Sequence, residues 1–145
     1  MSPYTEIIEN IRKLLNYLFN EIRYKNAVGL TDNSVFAENF IRIIFNKIMG
    51  WNLININAQS GKSNVKGIDL IEYGQTKAIQ VSARDDKRKL EDMIKAISEE
   101  EYLSDYQIYY CYLNMSGKKL RQYNLKRKDH IIFDNKKDII DGNKI

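Results

Sequence analysis

Residues 67 to 82 read Gly67-Ile68-Asp69-Leu70-Ile71-Glu72-Tyr73-Gly74-Gln75-Thr76-Lys77-Ala78-Ile79-Gln80-Val81-Ser82. Ile68, Leu70, Ile79 and Val81 alternate with other residues about a Tyr73-Gly74-Gln75-Thr76 turn, which is the pattern of a β-hairpin. With Gly74 and Gln75 as the two loop residues, Glu72 falls opposite Lys77, Asp69 opposite Gln80 and Gly67 opposite Ser82. Side chains of a strand alternate between faces, so this register points the four apolar residues one way. Asp69, Gln80 and Ser82 point the other way, and three polar groups converge.

Helical patterns flank the hairpin. Ile7, Ile8, Ile11, Leu14, Leu15, Leu18, Phe19 and Ile22 follow the three-and-four spacing of one helical face, predicting an amphipathic helix over Tyr4 to Arg23. The cluster Thr31, Asp32, Asn33, Ser34 offers N-caps for a second helix, from about Val35 to Met49, with Ala37, Ile41, Ile44 and Ile48 as its stripe. Gly50 stands where a glycine ends a helix. Trp51 to Asn57 alternates as a strand, and Ala58 to Lys66 reads as a polar loop. Beyond the hairpin, Asp85 or Asp86 caps a third helix to about Ser98, which buries Leu90, Met93, Ile94 and Ile97. Tyr106 to Met115 and His130 to Asp134 read as strands, and Asn135 to Asp141 as a last helical turn. The order predicts a mixed α/β domain whose third helix crosses over to a parallel strand.

The 145 residues, 43% hydrophobic and 29% charged, suit one folded domain and not a disordered chain. No apolar run is long enough to span a membrane, and the N-terminus lacks a cleavable signal pattern, so a cytoplasmic location is expected. One cysteine, Cys111, allows no internal disulfide and falls in an apolar stretch that predicts burial. One His and one Cys cannot build a zinc site, and a Ser-His-Asp set would need His130, which reads as structural. Gly61-Lys62-Ser63 is not a phosphate loop, because Ile56 stands where that motif needs its first glycine.

The remaining chemistry is carried by oxygens. Asp69 lies between apolar neighbours in a packed strand, where a carboxylate without a partner costs several kcal/mol. A cation, a metal or hydrogen bonds must accompany it. Glu38, near the start of the second helix, is the other acid the order of elements can bring to Asp69, Gln80 and Ser82. A separate stretch, Gly117 to Lys128, carries Lys118, Lys119, Arg121, Lys126, Arg127 and Lys128 with no acid, and Tyr123 among them is placed to stack on a base. With a formal net charge of +4, this predicts a nucleic-acid-binding surface.

Glu38, then Ile68-Asp69-Leu70, then Ile79-Gln80-Val81-Ser82, in this order of elements, resembles the core of the PD-(D/E)XK, or restriction-endonuclease-like, nuclease superfamily. The chain is more closely similar to the SMEK-type domains at the N-termini of bacterial conflict and anti-phage proteins. Leu30-Thr31-Asp32, Glu38, Gly50-Trp51-Asn52-Leu53 and the hairpin segments carry that likeness, over roughly residues 4 to 141. It implies a restriction-endonuclease-like mixed β-sheet flanked by helices, with an added N-terminal amphipathic helix. One domain over 1–145 would comprise a helical part 4–49, a core 34–115 and a basic part 116–145.

The resemblance further implies an Mg²⁺-dependent nuclease, with Mn²⁺ as a substitute, hydrolysing phosphodiester bonds of DNA ahead of RNA. It would be the effector module, and the N-terminal part, of a larger defence protein. Asp69, Gln80 and the Val81 carbonyl would hold the metal, with Glu38 through water. Gln80 stands in place of the superfamily's second acid and Ser82 in place of its lysine. Ser82 is then a water or phosphate contact, and Arg84 or Lys87 the transition-state cation, with Lys66 as another substitute; Lys77 faces away in the hairpin register. The alternative is an inactive fold of the same kind that binds nucleic acid or oligomerises. A first-helix stripe only partly covered by its own domain would point to a homodimer through that helix.

Overall fold

Helix α1, Pro3–Ala27, opens the computed structural model, which describes residues 2–27, 33–56, 67–126, 128 and 130–145. Only the second half of α1 is held by the domain: Leu15, Phe19 and Ile22 are buried. Tyr4, Ile7, Ile11 and Leu14 are 73%, 56%, 49% and 56% exposed, so the stripe read from the sequence is half covered. Helix α2, Asn33–Ile48, buries Ala37, Ile41 and Phe45. The expected stripe differs at its end, since Ile44 is only partly buried and Ile48 is exposed. The cause lies just beyond the helix. Gly50, at φ 67°, reverses the chain so that Trp51 packs edge-on against Phe45, at 5.7 Å between ring centroids, and against Tyr109 at 5.5 Å. The cap candidates Thr31 and Asp32 and the loop 57–66 lie outside the described residues.

The strands are β1 (Ile54–Asn55), β2 (Leu70–Glu72), β3 (Lys77–Ser82), β4 (Gln107–Tyr112) and β5 (Ile139–Ile140). They form one sheet in the order β1-β2-β3-β4-β5, with antiparallel pairing up to β3 and parallel pairing from β3 to β5. The hairpin register is as expected: Leu70 pairs with Ile79, Ile71 with Ala78 and Glu72 with Lys77. Glu72 and Lys77 are opposed without pairing their charges. The Lys77 ammonium sits 4.3 Å above the Trp51 ring, and the buried Glu72 Oε2 accepts no hydrogen bond among the described residues. The first strand is shorter than the Trp51 to Asn57 expected. Its approach is pinned by Asn46 of α2, which accepts from Leu53 N at 2.8 Å and donates to Leu53 O at 3.1 Å.

Helix α3, Lys87–Ser98, begins at Asp86, whose side chain accepts from Lys89 N, and it buries Leu90, Met93 and Ile97, whereas Ile94 of the expected stripe is only partly buried. A 3₁₀ turn, Glu101–Asp105, leads into β4, so α3 is the crossover of a parallel β3–α3–β4 unit. Helix α4, Lys118–Gln122, follows. The last two elements correct the expectation. His130 to Asp134 contributes one isolated bridge, Gln107 to Ile132, and the expected terminal helix is instead strand β5. Asp138 N does reach back to Asp134 O at 2.8 Å, but helix formation stops there because Ile139 and Ile140 are drawn onto the edge of β4 and buried.

The sheet separates two apolar layers. Leu70, Ile79, Val81, Cys111 and Leu113 pack with α1 and α2; Ile71, Ala78, Ile108 and Tyr110 pack with α3. Ile68 belongs to the α3 layer, not with Leu70 and Ile79 as strict alternation required. Gly67, at φ 85°, and the bend before β2 take Ile68 out of the ladder and turn it over. Cys111 is fully buried, and burial first, then Asp141, pushes its thiol far up from the ordinary value. Among the described residues no helix is long and apolar enough to cross a membrane.

Truncating Phe19, which is 0% exposed, is expected to destabilise the domain by about 3 to 5 kcal/mol in urea denaturation followed by circular dichroism. Ile7→Ala, on the uncovered part of the same helix, should leave the monomer's midpoint unchanged.

Candidate functional site

Asp69 enters the site through a bend. Its N–H donates to Ile79 O at 2.9 Å and its carbonyl accepts from Ile56 N at 3.2 Å, so its backbone is held from both sides. Gly67 precedes it at positive φ, and a Cβ there would meet Ala96 Cβ and Met93 O of α3 at 3.3 Å, which leaves little room for any side chain. The Asp69 side chain then completes the ladder that its main chain has left. Oδ2 accepts from Val81 N at 2.8 Å and from Gln80 Nε2 at 2.8 Å. Gln80 is 8% exposed, and its amide also lies 3.4 Å from Val81 O. The sequence register thus brought together the right pair, joined by a direct amide-to-carboxylate hydrogen bond.

Past Gln80, the chain emerges at the C-terminal ends of the parallel strands β3 and β4, where open α/β sheets place ligands. An open cleft of ≈ 510 Å³ lies there, lined by Ile22 and Arg23 of α1, Ala37 of α2, Ser82 at the end of β3, Arg84 beyond it, and Leu113 after β4. Ser82 Oγ accepts from Arg84 N at 3.1 Å, and the Tyr110 hydroxyl donates to Arg84 O at 2.6 Å. Burial pushes the Tyr110 phenol well above its ordinary range. Glu38 is buried on α2 beside the cleft residue Ala37.

Two expected cations differ in what they can do. Arg84 donates Nε to Asp86 Oδ1 at 2.9 Å and an outer nitrogen to Oδ2 at 2.8 Å, a bidentate pair that neutralises its charge. That hydrogen bond holds the Asp86 carboxyl below its ordinary value and raises the guanidinium, against the opposing effect of burial on each. Lys87 is exposed on the first turn of α3. Lys66 lies outside the described residues, and Lys77 faces Trp51, away from Asp69, as its register required.

The basic stretch is partly built into the fold. Arg121 pairs with the buried Asp141 at 2.9 Å and donates to Ile139 O at 3.1 Å, which locks α4 to β5. Tyr123 packs its ring on the core and donates its hydroxyl to Asp85 O at 2.9 Å, so it is not presented for stacking. These two are corrections to the expected contact surface. Lys119 lies 3.7 Å from Asp85 with both side chains largely exposed, and Lys128 donates to Ser98 Oγ at 3.3 Å. Lys118 and Lys126 are exposed, and Arg127 lies outside the described residues. Sequence reasoning missed Arg23, which looks like one more charge on a helix until the seating of α1 brings it to the cleft. It missed Asn135 as well, whose amide closes α4 by donating to Leu120 O at 2.9 Å and Tyr123 O at 2.8 Å.

A mixed α/β domain with a five-stranded sheet and polar groups at the end of its parallel pair defines the class. A family model described as the SMEK domain matches residues 10–145, and the chain belongs to that family. No curated protein and no solved structure matches it.

Asp86 gives the site a pH signature. Its folded-state value is lowered, so the stability it contributes is present above the ordinary aspartate value, about 4, and is lost as pH falls through the lower folded value. Asp86→Ala is expected to cost about 1 kcal/mol at pH 7 through the lost cap, the ion pair itself being too solvent-exposed to add much. The gap between wild-type and variant urea midpoints should narrow below pH 4.

Proposed function

We propose that this domain is a restriction-endonuclease-like nuclease of the PD-(D/E)XK kind, hydrolysing phosphodiester bonds of DNA ahead of RNA with Mg²⁺. The observation that carries the reading is the Asp69–Gln80 contact at 2.8 Å, immediately before the open end of β3. A carboxylate and a carboxamide held side by side here match the order acid, strand, amide, strand end that the sequence resemblance implies.

The donor set suits a small hard cation: the Asp69 carboxylate, the Gln80 side-chain carbonyl, the Val81 main-chain carbonyl and, through water, Glu38. The Gln80 amide, which now offers its nitrogen to Asp69, is the group that must turn end for end. Among the described residues no group of three or more His, Cys, Asp or Glu stands together, so the site relies on amide and main-chain oxygens. When bound, Mg²⁺ supplies Lewis acidity and lowers the pKa of a coordinated water.

The chain's own residues orient the reactants. Hydrolysis joins a water oxygen to phosphorus and breaks the bond from phosphorus to the leaving oxygen, which takes up a proton. Ser82 is placed to hydrogen-bond water or phosphate at the strand end. Lys87, exposed at the start of α3, is better suited than the Asp86-paired Arg84 to meet charge developing on the phosphate. Lys118, Lys126 and Lys128 remain as surface contacts for the backbone.

Self-association is a second reading with its own observation. The exposed Tyr4, Ile7, Ile11 and Leu14 follow the 3-4-3 spacing of a coiled-coil seam. An antiparallel pair of α1 helices would set Tyr4 against Leu14 and Ile7 against Ile11 of the second copy, with Glu6 of each beside Lys13 of the other. The larger protein inferred from the family's usual N-terminal placement would then act as a dimer.

Incubating the domain with duplex DNA and with RNA, with Mg²⁺ or with chelator, tests the enzymatic reading. Cleavage should require the metal and fall at least 100-fold in Asp69→Ala, with oligonucleotide binding kept. If wild type and Asp69→Ala behave alike on both substrates, the activity is refuted and an inactive binding module is left. For the dimer, light scattering after size exclusion should give twice the monomer mass for wild type and the monomer mass for Leu14→Glu. A monomeric wild type at high micromolar concentration ends that reading.

A further inference from the structure

Arg23 is the cleft's unneutralised charge. A guanidinium carries five N–H donors, and this one donates to two neutral acceptors, Leu113 O at 2.6 Å and the side-chain carbonyl of Asn20. Among the described residues it meets no carboxylate. Its neighbour in the cleft, Arg84, is already matched by Asp86. The lining among the described residues includes these two arginines and no acid, with apolar walls from Ile22 and Leu113. Walls of low polarity strengthen an ionic contact, and a partly buried guanidinium bonded only to neutral oxygens lacks an anion.

We propose that the cleft between α1 and the ends of β3 and β4 is a phosphate-binding site in which Arg23 takes a backbone phosphate of a bound nucleic acid. The Leu113 and Asn20 oxygens fix the guanidinium plane, and its remaining N–H groups present a fork that matches two phosphate oxygens. Ser82, which lines the same cleft, adds a hydroxyl to the site. Naming nucleic acid as the source rests on the reading above, whereas the phosphate chemistry does not. Arg23 is a binding and positioning residue: it would seat the strand so that the neighbouring phosphodiester lies near Asp69 and Gln80.

The test pairs two measurements on the whole domain. In the first, binding of a DNA duplex is measured across salt concentrations for wild type, Arg23→Gln and Arg23→Lys. Each phosphate contact contributes about 0.9 to the slope of log K against log salt. Arg23→Gln should lower the slope by about 1 and the affinity roughly tenfold. Arg23→Lys should keep the slope and lose a few-fold in affinity, because a point charge replaces the fork. A slope unchanged in Arg23→Gln overturns the proposal while leaving nucleic-acid binding intact.

The second measurement follows the Arg23 Nε–H signal of wild type by ¹⁵N NMR during titration with inorganic phosphate, and so depends on no variant folding. A saturable shift of that signal supports the site even if no duplex binds, an outcome in which the nucleic-acid reading fails alone. A signal unmoved by phosphate and by duplex overturns the inference whatever Asp69→Ala does to cleavage.

Discussion

Strand β3 lies at the centre of the sheet and is covered on both faces, so each of its backbone polar groups needs a partner inside the protein. On one side β4 supplies partners along all six residues, from Lys77 to Ser82. On the other side β2 runs out at Leu70, and the N–H of Val81 would face an empty place in the ladder. Asp69 Oδ2 fills it. A carboxylate accepting a main-chain N–H and a side-chain amide is a strong arrangement in a poorly solvated place. It explains how an acid is tolerated between Ile68 and Leu70. The bend at Gly67, the turning of Ile68 to the α3 layer and the position of Gln80 all follow from bringing that one oxygen to that one N–H.

The same economy runs through the charged residues. Asp86 both caps α3 and matches Arg84; Asp85 offers its carbonyl to Tyr123 and its carboxylate to Lys119. Asp141, 1% exposed, accepts from Gly117 N and Lys144 N and pairs with Arg121, so that its burial is compensated by three donors. The segment that looked like a basic appendage is therefore half scaffold, tying α4 and β5 to the sheet. Around the cleft and on that segment, Arg23, Lys87, Lys118 and Lys126 meet no carboxylate among the described residues. The proposed chemistry and the proposed phosphate site both lie where the fold has left positive charge beside open space.

Local patterns were legible wherever local rules decide. The hairpin register came from turn position and side-chain alternation, and it placed Asp69 opposite Gln80 correctly although their meeting is through side chains. The Asp86 cap, the buried stripe of α3 and the parallel crossover followed from capping chemistry, helical periodicity and connection handedness. Failures came where a distant element outbid the local one. Ile139 and Ile140 read as a helical turn and became a strand because β4 had an unfilled edge. Phe45 displaced Ile48 from the core because Gly50 folded Trp51 back upon it. The α1 stripe is continuous in sequence and half bare in the fold, since its burial in the layer shared with α2 and the sheet begins only at Leu15.

Sequence alone established the kinds and order of the elements from α1 to β4, the hairpin's pairing and the family, because these depend on spacing within a few turns or one hairpin. Assembly settled which polar groups are spent on the fold and which stand open. Arg121 and Arg23 are indistinguishable as charges on a chain. One faces Asp141 and closes the core, and the other faces neutral oxygens in a cleft. That difference arises from contacts between residues 20 and 90 positions apart, and no periodicity encodes it.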